Sequence, residues 1–188
     1  MQLVGGLIKA SHVRPSELLI TSLQFVQQQI PRQLHGELDA LQHSQPRHGQ
    51  AVIAGSFGQE RELVGVEQLQ ALAELCTSRF GAAHVLFNNA GVSVGGAAWE
   101  NTVDDWEWVM GVNLYGVVWG VKTFTPMMIA QGEGHIVNTA SAAGWVNGPN
   151  MSVYNVTKHS VVALSETLAL DLRDAGANVG VTCLCPAF

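Results

Sequence analysis

From Val66 onward, apolar and polar positions follow one another in regular blocks. "VEQLQALAELCTSRFG" places apolar residues at helical spacing and predicts a helix that stops at Gly81. "HVLFNNAG" reads as a buried strand running into a tight turn. "NTVDDWEWVMGVNLYGVVWGVKTFTPMMIAQG" predicts a long helix, with Thr102 as its cap and Asp105 completing a capping box with a shorter acid. "GHIVNTAS" is a second strand, "SVYNVTKHSVVALSETLALDLRDAG" a second long helix and "NVGVTCLCP" a third strand. Apolar strands alternating with helices imply an α/β fold, with parallel strands buried under helices on both faces.

Residues 1–65 read differently and form an unassigned N-terminal segment ahead of a core at 66–188. "QFVQQQIPRQLHGELDALQHSQPRHGQ" is rich in Gln and His. An amphipathic helix is expected from Ser16 toward Ile30, capped by Ser16 and ended by Pro31. "AVIAG" is a short strand. No chemistry is legible in this segment, whose composition suits a solvated or poorly ordered stretch.

Composition narrows the function classes. Hydrophobic residues make up 47% and charged residues 13%, which is globular rather than disordered. Net charge is -6 with only 9 Lys and Arg, so a nucleic-acid partner is not expected. Cys76, Cys183 and Cys185 show no metal-ligand spacing and read as reduced. The longest apolar run, "VMGVNLYGVVWGV", is too short to span a bilayer, so no membrane partner is expected. A soluble cytoplasmic protein is the resulting expectation.

Chemistry is expected beyond the carboxyl ends of the strands, where open α/β sheets bind ligands. Three strands end in Asn88-Asn89-Ala90-Gly91, Thr139-Ala140-Ser141 and Cys185-Pro186. Tyr154 and Lys158, four residues apart, share one helix face. Ser141, Tyr154 and Lys158 are therefore expected in one cleft. A phenol titrates near 10 in water, and an adjacent ammonium favours the phenolate. Tyr154 can then exchange a proton with a substrate oxygen while Ser141 holds that oxygen. Interconverting a hydroxyl and a carbonyl also needs a hydride partner, which no side chain supplies, so a nicotinamide cofactor is implied.

"NNAG" at 88–91, Asn113 in "GVNLYG", Ser141 and Tyr-x-x-x-Lys at 154–158 stand in the order and spacing of the short-chain dehydrogenase/reductase family. Residues 66–188, about two-thirds of the chain, resemble the middle of such a protein. The resemblance implies a Rossmann-type doubly wound parallel sheet, here incomplete, with NAD or NADP as cofactor and a small-molecule alcohol or carbonyl as substrate. It implies Tyr154 as proton donor and acceptor, Lys158 on the ribose hydroxyls and Ser141 on the substrate oxygen. Asn113 is implied at a helix irregularity, holding a water in a proton relay to Lys158. Asn88, Ala90, Gly91 and Pro186 are implied as cofactor-binding, together with Tyr154 and Lys158. The two long helices are implied as a homo-oligomer interface. Trp145, Val146 and Met151 are candidate substrate-pocket residues, although apolar loop residues packed on the fold would give the same pattern. Tyr154 as a half-buried helix residue, Asn113 as a satisfied polar residue and Asn88-Asn89 as turn residues are the plainer readings.

Two departures stand out. The family's glycine-rich turn, T-G-x-x-x-G-x-G, which holds the cofactor pyrophosphate on backbone N–H groups, is not found in residues 1–65: "VGGL" has the wrong pattern, and "AGSFG" stands too close to Asn88. Ala187 replaces the glycine that commonly follows the proline matched by Pro186. The chain reads as a fragment, with its first 65 residues out of frame or replaced. The alternative function is a catalytically dead fragment that partners an intact homologue.

Overall fold

The computed structural model describes residues 19–21, 51–53 and 65–187. Two short strands come first, β1 (Leu19–Thr21) and β2 (Ala51–Ile53), paired in parallel. Helix α1 (Val66–Phe80) leads into β3 (Val85–Asn88). Helix α2 (Val103–Met110) passes through a π-helical stretch, Gly111–Tyr115, into α3 (Gly116–Gln131). Strand β4 (Gly134–Thr139), a 3-10 turn at Ala142–Gly144, α4 (Ser152–Asp174) and β5 (Val179–Leu184) complete the described chain.

Strands β3, β4 and β5 form a parallel sheet in that order. The registers set Asn88 opposite Asn138 and Thr139 opposite Leu184, so the strands end level with one another. Because side chains alternate along a strand, Leu86, Ile136 and Val181 share the face on which, among the described residues, the helices lie. Phe124 and Met128 of α3, Cys76 of α1 and Leu168 and Leu172 of α4 close one apolar cluster over it. Burying each of the larger side chains stabilises the fold by about 1.5–3 kcal/mol.

The predicted ends of the helices are the observed ones. Gly81 adopts φ 81° and returns its N–H to the Thr77 carbonyl. A side chain is strained in that left-handed conformation. The Thr102 hydroxyl accepts from the Asp105 N–H at 3.1 Å, and the Asp105 carboxylate accepts from the Thr102 N–H at 3.1 Å. One expectation is corrected. The helix from Ser16 toward Ile30 does not run through Leu19–Thr21, which is a strand. Two β-branched residues, Ile20 and Thr21, follow two leucines there, and such residues favour a strand over a helix. Ser16, Pro31, "VGGL" and "AGSFG" lie outside the described residues.

Candidate active site

The strand ends gather a polar cluster that the rest of the core lacks. Asn113, Asn138, Ser141, Asn155, Thr157, Lys158 and Ser165 are all buried. Asn113 sits in the π-helical stretch, whose wider turn carries its side chain inward. Its amide oxygen accepts from the Val92 N–H at 2.8 Å, and its amide nitrogen donates to the Val92 carbonyl at 2.9 Å and to the Thr157 hydroxyl at 3.1 Å. Thr157 in turn donates to the Tyr154 carbonyl at 2.8 Å. Asn113 therefore ties the loop after β3 to the first turns of α4. Its side chain makes three hydrogen bonds to protein partners.

Ser141 caps the 3-10 turn after β4, its hydroxyl accepting from the Ala143 N–H at 3.2 Å. Gly144, at the end of that turn, lies flat against α4. A Cβ there would stand 2.9 Å from the Lys158 carbonyl and 2.8 Å from a Val162 methyl. Only glycine lets the turn bring Ser141 this close to the helix. The segment after β5 secures the turn from the other side: Ala140 N–H donates to the Leu184 carbonyl at 2.7 Å and Ala142 N–H to the Pro186 carbonyl at 2.9 Å.

Lys158 is 3% exposed, and its ammonium donates to the Thr139 carbonyl at 2.8 Å. The same nitrogen lies 5.6 Å from the centre of the Tyr154 ring. Burial lowers its pKa from 10.5 to about 8, and the nearby Cys183 and Cys185 pull weakly the other way. Gly91 faces this group: a Cβ there would stand 3.6 Å from the Lys158 ammonium and 3.7 Å from the Asn113 amide oxygen. Bare backbone thus leaves a recess beside an ammonium that has three N–H donors and gives one to Thr139. Those groups fit the vicinal hydroxyls of a ribose.

The remaining candidates divide. Asn88 donates from its side chain to the Asn138 amide oxygen at 2.9 Å, under α3, so only its backbone borders the cleft. Asn138 continues the chain of bonds to the Ser165 hydroxyl of α4 at 3.0 Å. Asn89 accepts from the Thr139 hydroxyl at 2.9 Å and holds the ends of β3 and β4 together. Ala90 follows it and is half-buried. Trp145 and Val146 are exposed, and the Trp145 indole N–H donates to the Cys185 sulfur at 3.3 Å. Met151 pairs with Gly96 in an isolated parallel bridge, which joins the loop after β3 to the start of α4.

Thr139, Gly144 and Thr157 belong to the site although sequence reasoning passed over them. Thr139 acts through its carbonyl, which carries no side-chain signal. Thr157 had one faint mark, its place directly before Lys158 and three residues after Tyr154.

Among the described residues, no group of His, Cys, Asp and Glu suits a metal ion, and no helix is long and apolar enough to cross a membrane.

Comparisons with known proteins agree with this geometry. A family model described as short chain dehydrogenase matches residues 51–188. A dehydrogenase/reductase of CLA biosynthesis from Lactiplantibacillus plantarum is 38% identical over 116 residues, covering 61% of this chain and 41% of that protein. The cyclohexanol dehydrogenase of an Acinetobacter strain is 38% identical over 114 residues, covering 60% and 45%. The crystal structure of a short chain dehydrogenase/reductase from Burkholderia phymatum, in complex with NAD, is 43% identical with a TM-score of 0.73, covering 92% of this chain and 57% of that one. The chain spans about half the length of the curated relatives it matches. A parallel sheet whose level strand ends hold serine, tyrosine and lysine on neighbouring elements, in a chain matched by the family model over most of its length, places this protein in the short-chain dehydrogenase family.

Proposed function

We propose that the chain interconverts an alcohol and a carbonyl compound, with NAD or NADP as its redox partner. The observation that carries this reading is the buried Lys158 ammonium, held between the Thr139 carbonyl and the Tyr154 ring and open toward bare Gly91. A nicotinamide held there would supply the hydride chemistry at the substrate carbon. Lys158 would hold its ribose hydroxyls, and Asn88, Ala90, Gly91 and Pro186 would line it. Tyr154 gives or takes the proton at the substrate oxygen. The Lys158 charge stabilises negative charge on the phenol oxygen as the proton leaves. Ser141 fixes the substrate oxygen, and its own hydroxyl is oriented by the Ala143 N–H. Asn113 positions Tyr154 and Lys158 through Thr157. Trp145, Val146 and Met151 border the substrate side, and the exposed indole favours an apolar substrate.

Exposed Tyr115, stacked on half-buried Trp119, with exposed Val156 and Leu170, favours assembly through the long helices. Fluorescence titration of the purified chain with NADH and NADPH tests the reading. Micromolar binding to either is expected. A folded chain that binds neither would leave assembly with an intact homologue as its role.

A further inference from the structure

Cys183 and Cys185 are two residues apart on the end of β5, and their sulfurs lie 3.8 Å from one another. Both cysteines are free and half-buried. Cys183 and Cys185 both pack on the small cluster of Val117, Ala140, Val161 and Val162. Cys185 stands one residue beyond the ladder, which ends at Leu184, and its sulfur accepts from the exposed Trp145 indole. Its two neighbours, Leu184 and Pro186, accept the backbone bonds that fasten the Ser141 turn. The two sulfurs are thus in contact, with one member past the strand end and neither fully buried.

We propose that Cys183 and Cys185 form a reversible disulfide beside the candidate active site, closed by a small disulfide oxidant such as oxidised glutathione. This goes beyond the hydride-transfer reading and does not depend on it. The Cys185 thiolate attacks one sulfur of oxidised glutathione, whose sulfur–sulfur bond breaks and releases one glutathione thiolate. Cys183 then loses its proton to solvent, and its sulfur attacks the Cys185 sulfur and expels the second glutathione. The cysteine pair loses two electrons, glutathione disulfide gains them, and the two cysteine protons end on the two glutathione thiols. The sulfurs must close from 3.8 Å to about 2.05 Å. That shift draws the Cys185 sulfur away from the Trp145 indole. Burial pushes the Cys183 thiol up to about 11, which suits it to the second, resolving attack rather than the first.

The test incubates the folded full chain with oxidised glutathione and counts free thiols. The expected result is loss of two of the three thiols, a mass loss of two hydrogens, and a peptide map that joins Cys183 to Cys185 and leaves Cys76 free. Dithiothreitol should restore all three. Trp145 emission should change on oxidation, and Trp145→Phe should remove that change. Cys183→Ser should stop at a glutathione adduct on Cys185, so that closure is lost while modification remains. An unchanged thiol count would overturn the proposal. So would a stable glutathione adduct on the native chain, disulfide-linked dimers, or closure only in urea.

Discussion

The two ends of the sheet share their elements and differ in their chemistry. At the amino ends of the strands, α1, α3 and α4 contribute Cys76, Phe124, Met128, Leu168 and Leu172, which close an apolar cluster over Leu86 and Ile136. At the carboxyl ends, α4 contributes Asn155, Thr157, Lys158 and Ser165, β4 contributes Asn138, and the π-helical stretch contributes Asn113, all equally buried. One helix therefore serves both purposes along its length. Apolar burial stabilises without direction. Buried polar groups stabilise little in net terms, but each must meet its partner. The first end holds the fold, and the second holds a geometry.

That contrast can be broken most directly at Tyr154. Tyr154→Phe should lower turnover by about 10²- to 10⁴-fold, while thermal unfolding and nucleotide titration stay near wild type. A large fall in stability would show that Tyr154 belongs to the packing and not to the chemistry. At the opposite end, Phe124→Ala should cost about 3–5 kcal/mol in chemical denaturation. The surviving folded fraction should still bind nucleotide, because Phe124 touches nothing in the cleft. Asn113→Ala sits between the two, leaving the Val92 backbone and Thr157 short of partners. It should cost about 1–3 kcal/mol and also loosen the hold on Tyr154, so that turnover falls further than stability alone accounts for. Near-wild-type turnover at matched folded fraction would deny Asn113 its positioning role.

The smallest effect is the titration of Lys158. Nuclear magnetic resonance of its side chain should show a midpoint near 8 and not at the ordinary 10.5. Between those two values the unfolded chain holds a proton that the folded chain has released. Wild-type stability should therefore rise relative to Lys158→Met as pH climbs from about 8 toward 10.5, and the buried charge should weigh fully against folding below about 8. A flat difference across that window would mean that the ammonium is better solvated than its burial implies.

Legibility in the sequence followed the same division. The helices from Val66 onward were readable because their apolar spacing and their end signals, the Thr102 start and the Gly81 stop, are local. Ser141, Tyr154 and Lys158 were readable because hydroxyl, phenol and ammonium are rare in apolar surroundings unless paired. Gly144 was silent, since its value is the closeness of α4, a distant stretch of chain. The Thr139 carbonyl was silent because every residue has one. Leu19–Thr21 misled because a short apolar run has no period of its own, and its partner, Ala51–Ile53, lies far along the chain.

The π-helical stretch at Gly111–Tyr115 has a consequence for how the chain tolerates changes in length. The Gly116 N–H reaches back five residues, to the Gly111 carbonyl, so this turn holds one residue more than an α-helical turn. Deleting a single residue there would heal the winding and give an unbroken, more regular helix. Because the extra residue is taken up within the wide turn, the helices before and after it would keep their phase. The Thr102 cap and the Trp106–Val109 face would stay aligned with Phe124 and Met128, but the inward turn that carries the Asn113 amide to Val92 and Thr157 would be gone. The mutation that repairs the helix is thus the one that dismantles the cluster beside it.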